Sequence, residues 1–99
     1  MKNKPWTDDE NIIVVNAYFE LKKLLDRGNI NITKFINNIT DQNNLNRSKR
    51  AVESKFQNIS AILIKKELSF LENFKPYTNF QKSLEKIVED YLNQHDYQN

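Results

Sequence analysis

The chain has no cysteine in 99 residues, which excludes disulfide frameworks and thiolate zinc sites and sets a reducing, cytoplasmic location as the expectation. Glycine occurs once and proline twice. One glycine leaves no Gly-rich phosphate loop, and the scarcity of both turn formers argues for long helices over a turn-rich sheet protein. Apolar runs are only a few residues long, too short to span a bilayer, and the opening MKNKPW has no apolar signal region. The only histidine, His95, offers no paired imidazoles for a metal or a catalytic relay, so no cofactor is expected. The carboxylates Asp8, Asp9, Glu10, Glu85, Glu89 and Asp90 are accounted for by helix starts and solvated faces, and the chain is read as a non-enzyme.

What is present fits one small all-α domain over residues 1–99, with 38% hydrophobic and 11% aromatic residues to build a single core. The net charge is only +2, so a case for nucleic acid rests on where the charge sits. Arg47, Lys49, Arg50, Lys55, Lys65 and Lys66 crowd the middle of the chain, while acids gather near both ends. The abundance of Asn, Lys and Ile fits an AT-rich genome and points to a bacterium or its phage.

Trp6, Thr7, Asp8, Asp9 and Glu10 predict a helix start, with Thr7 capping the free amides and Glu10 reaching back in a capping box. That helix runs from about Asp8 to Leu25, with Val14, Ala17, Tyr18, Leu21 and Leu25 inward, and ends at Asp26, Arg27 and Gly28. Trp6 is expected to anchor in the core against Phe56 or the last helix. Lys2 and Lys4 form a short basic arm. Ile32, Phe35, Ile36 and Ile39 predict a second helix behind Asn31, with strand as the competing assignment; Thr40 to Asn46 reads as a loop. Residues 67–77 form a connector in which Phe70, Leu71, Phe74 and Tyr77 pack along the core, or in which Tyr77 and Phe74 mark a partner surface. Residues 78–93 form a last amphipathic helix opened by a second capping box, Thr78 to Gln81. The tail from Gln94 to Asn99 is polar.

The stretch RSKRAVESKFQNISAIL, Arg47 to Leu63, separates most cleanly into two faces. Capped by Ser48 or Asn46 and extending to about Lys66, it carries Val52, Phe56, Ile59 and Leu63 on one stripe. Opposite lie Arg47, Arg50, Ser54, Gln57, Asn58 and Lys65, with only Ala61 among them. Two arginines suited to phosphate and short amides and hydroxyls suited to base edges make a face that fits a groove of DNA.

These pieces resemble the Myb/SANT type of helix-turn-helix domain. In that family a Trp-Thr-x-x-Glu motif opens helix 1, as Trp6, Thr7 and Glu10 do here, and an Arg-Thr-like pair opens helix 3, as Arg47 and Ser48 do. Lys55, Phe56 and Asn58 match the family's basic residue, aromatic and Asn later in that helix. The stretch from Arg47 to Leu92 is also similar to a segment ahead of the nuclease domain in some bacterial HNH endonucleases, through RSKRAVESKFQNISAIL and FKPYTNFQKSL; with His95 alone, the nuclease site itself is missing.

The resemblance implies a trihelical helix-turn-helix core over residues 6–66 with a C-terminal amphipathic helix added. It implies that helix 3 enters the major groove of double-stranded DNA with Arg50, Glu53, Ser54, Gln57 and Asn58 facing bases. Arg47, Lys49, Arg50, Lys55 and Lys65 then contact the backbone. Glu53 stands where a basic residue is common in the family; it either accepts from a cytosine amino group or repels phosphate. A DNA-binding regulator, or the detached specificity module of a nuclease-like system, is the leading expectation. The alternative is a protein-interaction module, such as a mobile-element inhibitor of a nuclease or defence protein, or a homodimer through the last helix.

Overall fold

Thr7 closes the capping box that its spacing predicts. The Glu10 N–H donates to Thr7 Oγ1 at 3.1 Å and the Thr7 N–H donates to Glu10 Oε1 at 3.0 Å. From there the computed structural model, which describes residues 4–95, runs through α1 (Asp8–Arg27), α2 (Ile32–Gln42), α3 (Lys49–Lys65) and α4 (Lys82–Gln94). No strand occurs among the described residues, so the ambiguous Ile/Thr segment resolves as helix. Lys2 of the basic arm and residues 96–99 of the tail lie outside the described residues. Among the described residues no helix is long and apolar enough to cross a membrane.

The helix ends follow from the shortage of glycine. α2 and α3 both close with Schellman-type bonds, Leu45 N–H to Thr40 O and Leu68 N–H to Leu63 O, each 2.9 Å. The left-handed position that glycine usually fills falls on Asn44 (φ 49°) and Glu67 (φ 61°). Leu45 is buried and Leu68 half-buried behind these turns, pinning each helix end to the core. α2 therefore extends to Gln42, three residues beyond its last core-facing isoleucine, and the loop after it is shorter than Thr40 to Asn46.

α1 and α3 each pack on all three other helices, while α2 and α4 do not touch one another. Val52, Phe56, Ile59 and Leu63 are fully buried, as are Val14, Tyr18 and Leu21 of α1. Tyr18 and Phe74 set their rings edge-on to Phe56, with centroids 5.5 and 5.0 Å away. The buried surfaces are wider than single-helix periodicity predicts. On α1, Asn11, Val15 and Phe19 are buried too, and Phe19 stacks on Tyr91 of α4 at 4.3 Å.

The connector explains one correction. The expected capping box from Thr78 to Gln81 does not form; α4 begins at Lys82, and its N-cap Gln81 makes no side-chain cap bond. The Tyr77 N–H donates to the Gln57 carbonyl at 3.1 Å, and the Asn58 amide donates to the carbonyls of Tyr77 (2.7 Å) and Asn79 (3.4 Å). Residues 77–79 are thereby tied to α3. The Gln81 Oε1 is engaged by Lys55 Nζ at 3.0 Å and by the Asn11 amide at 3.4 Å, which takes it away from the helix start. Phe74 is buried under this arrangement and Tyr77 is 51% exposed, so the two aromatics have opposite surroundings.

Candidate nucleic-acid interface

Ser48 begins α3 as expected, accepting from the Ala51 N–H at 3.1 Å. The first turn of α1 holds three acids, Asp8, Asp9 and Glu10, whereas that of α3 holds none and starts with Lys49 and Arg50. Cations at the positive end of a helix dipole work against its own field. The start of α3 is therefore left strongly electropositive, a condition that suits an incoming anion.

Beside it is a hollow of about 440 Å³. Its walls carry four basic side chains, Lys4, Arg47, Arg50 and Lys55, together with Trp6 and the hydroxyls of Ser48 and Ser54; no carboxylate of the described residues lines it. The nearby Glu10 carboxylate is occupied by Arg47, through Nη2–Oε1 at 2.7 Å and Nε–Oε2 at 3.1 Å. This pairing, with the Thr7 bonds, holds the Glu10 carboxyl down at about 2. Arg47 also donates to the carbonyls of Lys4 (2.7 Å) and Pro5 (2.9 Å), and its guanidinium lies 4.7 Å from the Trp6 ring centre. It fastens the N-terminal arm and α1 to the beginning of α3, and so builds the wall of the hollow.

Lys55 is the unusual member. Only 8% exposed, it meets Gln81 through one hydrogen bond, lies 5.1 Å from the Trp6 ring centre, and among the described residues has no carboxylate within ion-pair distance. Burial, and secondarily the Arg47 charge, push its ammonium below the ordinary lysine range, with Glu10 opposing.

The residues singled out from sequence divide accordingly. Arg50 and Ser54 are exposed on the hollow's rim, and Gln57 is half-buried one turn further along α3. Lys49 and Glu53 pair with each other at 2.9 Å on the same helix. Asn58 corrects the expected polar face: it is 5% exposed and turned to the connector, because residues 77–79 cover that side of α3. Ala61 is buried as well. Lys65 pairs with Glu85 of α4 at 2.9 Å and lies fifteen residues beyond Arg50, about 22 Å along the axis. It is not gathered with the others.

Trp6 lines the hollow between two cations while packing partly on the core. The sequence marked its wall poorly, although Lys55 follows Val52 by three positions and precedes Ile59 by four, spacing that places it at the edge of the buried stripe. Among the described residues, no group of three or more His, Asp or Glu side chains could hold a metal ion. Comparison with protein families, curated proteins and solved structures finds no match to this chain.

Proposed function

We propose that this chain binds double-stranded DNA through the N-terminal half of α3. In this reading α1, α2 and α3 form a trihelical helix-turn-helix core of Myb/SANT type, and α4 braces it from the side of α1 and α3. Ser54 and Gln57 face base edges in the major groove, Arg50 meets a phosphate at the groove's edge, and Lys4, Lys49 and Lys55 meet the backbone. The observation that carries the proposal is the carboxylate-free hollow of four cations, contiguous with the exposed Arg50 and Ser54 at the electropositive start of α3. The role that follows is that of a small regulator or stand-alone specificity module in a bacterium or phage.

The test is a salt-titrated binding assay on random duplex DNA, with Arg50 and Gln57 both changed to Ala. The double variant should stay folded and lose most low-salt affinity; wild-type affinity in that variant sinks the groove model. A protein partner is the second reading, favoured by the Lys49–Glu53 pair, which offsets charge on the candidate face, and by Tyr77, 51% exposed beside α3. Absence of any salt-sensitive shift, with a stable complex in pull-down, decides for it.

A further inference from the structure

We infer that the hollow under Trp6 is a phosphate site, with Lys55 as its deep cation, Arg50 and Lys4 at its rim, and Arg47 as the scaffold that holds it open. It rests on the DNA-binding reading only for the natural source of the phosphate, a backbone diester.

Three observations converge on an anion of this kind. A buried ammonium is normally paired with a carboxylate, because burying an unpaired charge is expensive. Among the described residues Lys55 Nζ meets the Gln81 side-chain oxygen and the Trp6 face, and no carboxylate is bonded to it. Glu10 instead binds Arg47 with both oxygens. Lys55 is thus 8% exposed at the wall of an open hollow, with no anion among the described residues bonded to its ammonium.

The donors around the hollow, moreover, come from separate segments: the arm at Lys4, the first turn of α3 at Ser48 and Arg50, and the next turns at Ser54 and Lys55. A carboxylate presents two oxygens in one plane, whereas a phosphate presents acceptors in several directions and can meet all of them. The hollow, finally, is open to solvent and has a volume of about 440 Å³. That is ample for a phosphate with part of its sugar, and oversized for a chloride.

Trp6 is the only tryptophan and lines the hollow, so its emission reports occupancy directly. Inorganic phosphate should change that emission saturably, while sodium chloride at matched ionic strength should not. Lys55→Met should bind phosphate and duplex DNA at least tenfold more weakly, with a melting temperature no lower than wild type, since it removes a buried charge. Equal titrations of Lys55→Met and wild type, or a chloride effect equal to that of phosphate, overturn the site. If Lys55→Met does not fold, Arg50→Ala, at an exposed position, serves in its place and should weaken phosphate binding severalfold; an unchanged titration counts against the site.

A 5′-mononucleotide and a short duplex separate the two sources. Displacement of phosphate by the duplex supports the backbone diester. Saturation by phosphate and mononucleotide without duplex binding keeps the site and removes the DNA reading. Duplex affinity lost in the Arg50/Gln57 variant but kept in Lys55→Met does the reverse.

Discussion

Arg47 and Glu10 form a two-point ion pair, 2.7 and 3.1 Å, that joins the start of α1 to the residue preceding the α3 cap. Both side chains are largely shielded, at 10% and 22% exposure, so removing one partner costs more than breaking a surface bridge. Arg47→Met should destabilise the fold by about 2 kcal/mol, because it strands the Glu10 carboxylate and two carbonyls of the arm. The same pair sets the acid response. Glu10 is held at about 2 against an ordinary 4.5, chiefly by its Arg47 hydrogen bond. Its lowered value means its contribution is complete above about 4.5 and is lost as pH falls towards 2. Thermal melts between those limits should fall more steeply for wild type than for Arg47→Met; parallel curves would show that Glu10 is not the group responsible.

Helix periodicity made α1, the α3 core stripe and the Thr7 cap legible, because each is decided within one turn or one face of a single helix. The structure departs from the sequence pattern at Thr78 and Asn58 for one shared reason. Which side of α3 is solvated depends on where the connector lies, and residues 77–79 are fixed by bonds to Gln57 and Asn58 that no local pattern encodes. Lys65 is exposed, as the periodicity predicts, but its pairing with Glu85, twenty residues away on α4, is equally beyond any local pattern. Arg50 and Ser54 are exposed on the first turns of α3, as the periodicity of that helix predicts.

Asn58 separates bracing from base reading. Its amide donates to two connector carbonyls, so Asn58→Ala should lower stability by about 1 kcal/mol. It should leave duplex affinity unchanged once the folded fraction is equal. A loss of affinity at full folding would return Asn58 to the contact surface.

A buried hydroxyl links three parts of the chain. The Tyr18 hydroxyl accepts from the Leu71 N–H at 2.8 Å and shares a second 2.8 Å hydrogen bond with Ser60 Oγ. Tyr18→Phe keeps the ring contacts with Phe19 and Phe56 but leaves a buried amide without its acceptor. The expected loss is about 1–3 kcal/mol, or a fall in melting temperature of roughly 4–8 °C for each kcal/mol in a domain this size. Unchanged melting would mean that water replaces the hydroxyl.

The salt dependence of DNA binding tests the whole charge assignment. Lys4, Lys49, Arg50 and Lys55 are the four cations placed against the duplex backbone or at the groove's edge, and Lys65 and Lys66 are turned to Glu85 and Glu89 of α4. Four phosphate contacts give a slope of log K against log salt of about −3 to −4. Arg50→Ala should reduce that slope by about one. Lys65→Ala should leave it unchanged, because Lys65 lies fifteen residues beyond Arg50 on α3, about 22 Å from the hollow's rim. A slope near −6 that shrinks with Lys65→Ala would extend the DNA footprint to the far end of α3 and displace the hollow from its centre.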